Sequence, residues 1–131
     1  MRILLDTNIF LWCIIDDAKL TKKAKDLIVE ADERYVSSAS IWEIAIKKSI
    51  GKLDSNNDIG SLADVIEESG FIELPVTAKH AATIFHLEHI HRDPFDRLLI
   101  AQAICEPLIF VTADMQLEKY SELVKVISLK K

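Results

Sequence analysis

Residues that mark several common protein classes are scarce in this chain. Its 131 residues include two cysteines, three glycines and three prolines. Cys13 and Cys105 are isolated in apolar surroundings and lack a CxxC spacing, so we expect them to be small core residues in a reducing cytosol. The scarcity of glycine and proline argues against a turn-rich sandwich or barrel.

Long hydrophobic runs are also missing. The longest apolar stretches, FLWCII, LLIA and PLIFV, are far shorter than the roughly 18 residues that a membrane-spanning helix needs. Arg2 is followed by only three apolar residues before Asp6, which does not resemble a signal peptide. We therefore expect a cytoplasmic protein with no membrane partner.

Positive charge is in short supply. The net charge at pH 7 is −5, which is a poor electrostatic footprint for a protein that grips long nucleic acid through its phosphates. Short or local nucleic-acid contacts stay open, because lysines cluster in two places, and we interpret both clusters as solvated helix faces. The clusters are Lys22, Lys23 and Lys25, and Lys47, Lys48 and Lys52.

Apolar residues, by contrast, are plentiful. They make up 50% of the chain, which is enough for a well-filled core at this length. No linker, repeat or low-complexity tract divides the sequence, and the polar stretch 54–58 is predicted to be a loop. We expect a single domain over residues 1–131.

Strand-like apolar runs alternate with helical patterns along the chain. Strands are predicted at 2–5, 34–36, 71–74, 108–111 and 124–129. Helices are predicted at 8–15, 21–31, 39–50, 59–68, 77–87, 94–105 and 115–119. Strands that are apolar throughout and alternate with helices predict an α/β fold with a mostly parallel central sheet of about five strands, flanked by helices.

Two acidic residues follow predicted strands directly. Asp6 comes after the first strand, and Asp114 ends the run LIFVTAD, two residues after Thr112. Open α/β sheets bind their ligands at the carboxyl ends of the strands, so we expect both carboxylates at one edge of the sheet. Each could instead cap the helix that follows it, which is a frequent role for aspartate.

A third acid, Glu43, is the lone charge in the apolar run IWEIAI. A capping box with Ser40 would explain it as a structural residue. Ser37 and Ser38 are equally good helix caps, however, and either would place Glu43 in the second turn, where its side chain cannot reach the cap amide. We therefore favour a functional role for Glu43.

The segment HRDPFDRLLIAQA holds two further acids. Asp93 precedes Pro94, a residue favoured at the first position of a helix, so Asp93 is predicted to be the cap. Asp96 heads an apolar stripe formed by the residues three, four and seven positions further on. We expect this stripe to face the core, which directs Asp96 towards the sheet edge.

Converging carboxylates need a counter-charge. Two of them about 4 Å apart repel by about 4 kcal/mol at an effective dielectric constant near 20, so a cluster needs raised pKa values or a cation. Hard oxygen donors without cysteine suit Mg²⁺ or Mn²⁺, which can activate a water and stabilise the leaving oxygen of a phosphodiester. The predicted cluster is Asp6, Glu43, Asp96 and Asp114.

Other catalytic patterns are not found. His86, His89 and His91 lie close together in HLEHIHRD, but their spacing matches no standard zinc site and HLEH is not HExxH. We expect them at a solvated helix end. The sequence has no GxGxxG, GxxxxGK[ST] or GxSxG motif, which argues against dinucleotide binding, P-loop chemistry and serine-hydrolase catalysis.

In its ordered motifs the chain resembles a PIN domain, and more specifically a VapC-type toxin ribonuclease of a prokaryotic toxin–antitoxin pair. The resemblance covers essentially the whole chain and rests on LLDTN, SSASIWEIAIK, DPFDRLLIAQA and FVTAD. It implies a PIN-like three-layer fold and a particular strand order. The acidic quartet that it implies is Asp6, Glu43, Asp96 and Asp114, with Thr112 as a hydroxyl helper, Asn8 as polar support of the first acid and Asp93 beside them.

The same resemblance implies an activity and partners. It implies an endoribonuclease dependent on Mg²⁺ or Mn²⁺, commonly a homodimer, which a cognate antitoxin inhibits with a tail that blocks the site. Asp96 rather than Asp93 is assigned to the quartet because it matches the family spacing D-x-L-[IL]-x-A-x-A. Because arginine pairs with carboxylates bidentately, we expect an arginine or lysine of the antitoxin to enter the cluster.

Two alternatives stay open at this stage. The first is a non-catalytic α/β regulatory or protein-binding module, in which Asp6 and Asp114 are helix caps. The second is a phosphate-ester hydrolase that uses Asp6 as a nucleophile. That chemistry usually needs another acid two residues further on, and here the position is Asn8.

Overall fold

Five β-strands and six α-helices are found in residues 1–53, 61–88 and 93–129, the part of the chain that the computed structural model describes. The strands are β1 Arg2–Leu5, β2 Glu33–Ser37, β3 Ile72–Leu74, β4 Ile109–Thr112 and β5 Val124–Val126. The α-helices are α1 Thr7–Ile14, α2 Lys22–Glu30, α3 Ser38–Ser49, α4 Val65–Glu68, α5 Ala78–Thr83 and α6 Pro94–Cys105. Two 3₁₀ helices span Ile84–His86 and Met115–Tyr120.

The strands form one sheet in the order β3-β2-β1-β4-β5, and all four neighbouring pairs are parallel. In the central strand, Leu4 lies opposite Tyr35 of β2 and Phe110 of β4. Ile3, Leu4 and Leu5 are all completely buried, as expected of a strand covered on both faces. The predicted five-stranded parallel sheet is confirmed.

Helices cover both faces of this sheet, which gives the three layers that the resemblance implies. On one face, Ile3 and Leu5 pack with apolar residues of α1, α2 and α4, including Phe10 and Ile28. On the other face, Leu4 and its neighbours pack with apolar residues of α6 and the second 3₁₀ helix. The alternation of adjacent β1 residues between two cores follows from the two-residue period of a strand.

Most helix boundaries agree with the predictions to within one or two residues. Thr21 caps α2, as predicted, and accepts a hydrogen bond from the Ala24 amide at 3.1 Å. Gly51 and Gly70 follow α3 and α4 with positive φ values of 73° and 86°, a conformation that glycine adopts without the steric cost of a Cβ. The local signals for starting and stopping these helices were therefore sufficient.

Three predicted elements are too long. Within its described part, 61–68, the helix predicted at 59–68 is helical only in α4, because residues 61–64 form a turn in which the Asp64 amide donates to the Ser61 carbonyl at 3.1 Å. The strand predicted at 124–129 ends with β5, although Leu129 makes an isolated bridge to Leu20. The helix predicted at 77–87 is interrupted, since α5 gives way to the 3₁₀ helix Ile84–His86.

The remaining sequence expectations concern cysteine, histidine and membrane spans. Cys13 and Cys105 are free, half-buried thiols, and burial raises the pKa of Cys13 to about 11. His86 is exposed, as predicted, while His89, His91 and the predicted loop 54–58 lie outside the described residues. Within the described ranges, no helix is long and apolar enough to cross a membrane.

Candidate active site

Asp6 lies at the junction of β1 and α1. Its backbone amide donates to the Val111 carbonyl at 2.9 Å, which continues the pairing of β1 with β4. Its carboxylate accepts hydrogen bonds from the Thr7 amide and the Thr112 hydroxyl, each at 2.7 Å. Asp6 is therefore a helix cap, and its second oxygen is at the same time held against the end of β4.

Thr112 joins Asp6 to Asp114. The buried Thr112 hydroxyl donates to Asp6 and accepts a hydrogen bond from the Asp114 amide at 3.1 Å. Asp114 also caps the 3₁₀ helix that follows, because its Oδ1 accepts from the Gln116 amide at 2.9 Å. The capping role considered for both acids is thus real, and it coexists with their position at one edge of the sheet.

Helix α3 delivers Glu43 to the same edge. Its cap is Ser37, whose hydroxyl accepts from the Ala39 amide at 3.0 Å, so Glu43 lies in the second helical turn. The alternative of a capping box with Ser40 is therefore wrong; the Ser40 hydroxyl instead accepts a hydrogen bond from the hydroxyl of Thr7 at 2.8 Å. Glu43 is only 6% exposed.

Helix α6 begins as predicted. Asp93 is its cap, accepting from the Phe95 amide at 2.9 Å, and Pro94 is its first residue. Asp96 is the third helical residue and heads a stripe of which Leu99 and Ile100 are completely buried. The expected orientation of α6 therefore holds, and it directs Asp96 towards the other acids.

These side chains line one cleft of about 270 Å³. Larger grooves of about 350, 480 and 770 Å³ exist among the described residues, but none of these three contains more than two carboxylates. Trp42 of α3 and Phe95 of α6 contact edge to face nearby, with ring centroids 5.1 Å apart, and so join the helices that carry Glu43 and Asp96. The lining residues of the cleft are Asp6, Thr7, Asn8, Trp12, Glu43, Lys47, Asp93, Asp96, Ala113 and Asp114.

Burial, together with the crowding of carboxylates, raises the pKa values of Asp6 and Asp96. Burial raises the pKa of Asp6 to about 6, although its hydrogen bonds from Thr112 and Thr7 act in the opposite direction. Burial also raises the pKa of Asp96 to about 8, and the four other carboxylates of the cleft add to the rise. At neutral pH the metal-free cleft therefore holds a proton on Asp96.

Lys47 is the residue that the sequence interpretation placed wrongly. It does not lie on a solvated helix face: its ammonium is 2.9 Å from Glu43 Oε2 and its side chain lines the cleft. Burial lowers the pKa of Lys47, but the hydrogen bond to Glu43 and the charges of Glu43, Asp93 and Asp96 raise it by more. The pKa of Lys47 is therefore above that of an ordinary lysine. The i, i+4 spacing of Glu43 and Lys47 was the available signal.

Thr7 and Ser40 were also missed. Their hydroxyl–hydroxyl contact links the first turn of α1 to the first turn of α3, next to the cleft. Asn8, which was predicted to support Asp6, is exposed on the cleft wall, while the hydrogen bonds to the Asp6 carboxylate come from Thr7 and Thr112. The sequence pattern did not show that Thr7, and not Asn8, donates a hydrogen bond to Asp6.

The residues present suit a hard divalent cation. No three His, Cys, Asp or Glu side chains of the described residues already form a group that could hold a metal ion. The buried Oε1 of Glu43, however, has no hydrogen-bond partner within the described residues. This oxygen and the carboxylates of the four aspartates in the cleft are the kind of donors that suit Mg²⁺ or Mn²⁺. A bound ion would also offset the cost of burying the unpartnered Glu43 oxygen.

Comparison with known proteins gives one family and several structures. The family model of the PIN domain matches residues 3–123, and no curated protein sequence matches significantly. A chain in the crystal structure of VapBC2 from Rickettsia felis bound to a DNA fragment from their promoter has a TM-score of 0.69 and 16% identity, covering 99% of this chain and 100% of its own.

A second solved structure is similar. A chain of a toxin–antitoxin complex from Klebsiella pneumoniae has a TM-score of 0.59 and 16% identity, and the match covers 88% of this chain and 89% of that one. At such low identity both structures establish a shared fold and do not by themselves transfer an activity.

The metal-free protein is expected to lose stability as pH rises towards 8. Asp6 and Asp96 bind protons more tightly in the folded protein than at their ordinary pKa of 3.8. Their contribution is therefore complete below that pKa and is lost as pH rises through about 6 and about 8. Urea unfolding in EDTA from about pH 5 to about pH 8 measures this slope.

Two variants isolate the contribution of Asp96. Asp96→Asn should flatten the upper part of the slope, because the variant has no carboxyl group to titrate at this position. Asp26→Asn is the matched control, since Asp26 pairs with Lys22 on the surface of α2, and it should keep the wild-type slope. An unchanged slope in Asp96→Asn would contradict the assignment.

Proposed function

Because the chain belongs to the PIN domain family, whose members are nucleases, we propose that it is a metal-dependent endoribonuclease and the toxin of a toxin–antitoxin pair. The observation that carries the proposal is the meeting of carboxylates from four separate elements in one cleft. A parallel sheet opens its ligand site at the carboxyl ends of its strands, and this cleft lies there. Helix capping alone does not require Asp6, Asp93 and Asp114 to line the same cleft.

Asp6, Glu43, Asp96 and Asp114 are the proposed ligands of Mg²⁺ or Mn²⁺. A bound ion would lower the pKa of a coordinated water and would place positive charge beside the phosphodiester. Asp6 lines the cleft and is held in one orientation by hydrogen bonds from the Thr112 hydroxyl and the Thr7 amide. Asp96 must release its proton before it can act as a ligand, so ion binding strengthens as pH rises towards 8.

The toxin role is supported by fold and by charge. Both similar structures described above are of toxin–antitoxin proteins, VapBC2 and a toxin–antitoxin complex. The net charge of −5 favours a basic partner segment over non-specific RNA. We propose a cognate antitoxin as the inhibitor, and the homodimer implied by the family resemblance stays a prediction that sedimentation velocity measures directly.

Purified protein is expected to cleave structured RNA with Mg²⁺ or Mn²⁺ and to stop in EDTA. Asp6→Asn should lower the rate by about a thousandfold or more, because the change removes a ligand charge but little volume. Gel assays on total RNA and circular dichroism of the variant measure activity and folding separately. Asp26→Asn, outside the cleft, should cleave like the wild type. Full cleavage in EDTA would refute the metal mechanism, and metal binding without cleavage would favour the non-catalytic module.

The two acids of the α6 N-terminus should differ in importance. Asp93→Asn should keep cleavage within about threefold of wild type and cost little stability, because asparagine caps helices about as well as aspartate. Asp96→Asn should abolish cleavage with stability unchanged or raised, since it relieves repulsion among the acids. Single-turnover rates and urea unfolding of both variants test this, and the reverse ranking would show that Asp93 is the ligand.

Inhibition is expected to use an arginine or lysine that enters the acidic cleft. Arginine binds paired carboxylates bidentately and does not lose its proton. Replacing that side chain of the cognate antitoxin with alanine should weaken the complex by about thirtyfold or more. Isothermal titration and RNA cleavage in mixtures of the two proteins measure it. A tight complex that leaves the acids uncovered would show that inhibition works by another route.

A further inference from the structure

Lys47 and Glu43 form an ion pair inside the acidic cleft. They lie one turn apart on α3, and the Lys47 Nζ is 2.9 Å from Glu43 Oε2. The Glu43 side chain is 8% exposed and that of Lys47 is 38% exposed, so the ammonium reaches inward from the cleft mouth. A pair in which one partner is this deeply buried is held more firmly than a surface pair.

Lys47 is also the one basic side chain among the described residues that line the cleft. Five carboxylates line the same space, namely those of Asp6, Glu43, Asp93, Asp96 and Asp114. The ammonium of Lys47 therefore offsets part of the negative charge of the cleft. The charges of Glu43, Asp93 and Asp96 raise the pKa of Lys47, so its ammonium interacts with three acids of the cleft.

The two oxygens of Glu43 have different surroundings. Oε2 contacts Lys47, whereas Oε1 is buried with no hydrogen-bond partner among the described residues. Besides the number of carboxylates, this unpartnered oxygen is a separate indication that the cleft binds a cation. A divalent ion that uses the Glu43 carboxylate must then share it with Lys47 or displace the ammonium, because two cations on one carboxylate repel each other.

We propose that Lys47 is a built-in competitor of the metal: it neutralises Glu43 in the metal-free cleft and is displaced when a divalent cation binds. This inference rests on the proposed metal-dependent function and adds a residue that sets the metal affinity. Lys47 is a positioning residue, since it acts through Glu43. Its charge stabilises the acidic cleft when no metal is bound, and the same charge opposes metal binding.

Isothermal titration with Mn²⁺, without RNA, tests the competition. Lys47→Met should tighten Mn²⁺ binding by about three- to tenfold, because one positive charge leaves the site at short range. Lys47→Arg keeps the charge and should stay within about twofold of wild type. Lys48→Met is the matched control, since Lys48 is the next residue of α3 but does not line the cleft. Unchanged or weaker binding in Lys47→Met would overturn the proposal.

Thermal unfolding separates competition from a purely structural role. Lys47→Met should melt below wild type in EDTA and approach wild type in saturating Mn²⁺, because the ion then supplies the missing charge. An equal loss in both conditions would mean that Lys47 only supports the fold. If Lys47→Met fails to fold in EDTA, Lys47→Gln repeats both measurements with a polar side chain. Absence of any Mn²⁺ binding by the wild type would refute the proposed function itself, whereas binding that ignores Lys47 would refute only this inference.

Discussion

The hydrogen bond from the Thr112 hydroxyl to the Asp6 carboxylate is the interaction on which the site depends. It spans 2.7 Å between completely buried Thr112 and an Asp6 that is 9% exposed. A carboxylate in such a place is costly unless it is paired or hydrogen-bonded. The pairing of β1 with β4 brings these two residues together. The Thr112 hydroxyl also accepts a hydrogen bond from the Asp114 amide. The sheet itself therefore orients two of the acids.

The carboxylates that would bind a metal ion repel one another, so the arrangement proposed for function lowers the stability of the metal-free protein. The pKa of Asp96 rises to about 8, through burial and through its acidic neighbours, which means that its ionised form is destabilised in the metal-free fold. Lys47 offsets part of this repulsion through Glu43. Sites that are organised for a ligand often carry such local conflict, and the rest of the structure must supply the compensating stability. Here the completely buried residues Ile3, Leu4 and Leu5 anchor the central strand, which ends at Asp6.

Much of the fold could be predicted from local patterns. The helix starts at Thr21 and Pro94 and the stops before Gly51 and Gly70 followed from residues that satisfy or end a helix at short range. Errors arose where the outcome depended on packing. Residues 61–64 form a turn instead of extending α4, and regular strand structure ends with β5, although the Ile127 amide still donates to the Thr112 carbonyl at 2.8 Å. Periodicity does not reveal how far a helix or strand finds a neighbouring surface to cover.

The sequence by itself determined which acids end strands or head apolar stripes, because these properties depend on residues within one or two helical turns. Asp6, Asp96 and Asp114 were identified in this way. Only the tertiary structure decided two of the contacts around them: the Thr7–Ser40 hydrogen bond and the inward direction of Lys47. These contacts join elements distant in sequence, or depend on which helix face meets the core, so long-range packing and not local propensity selects them.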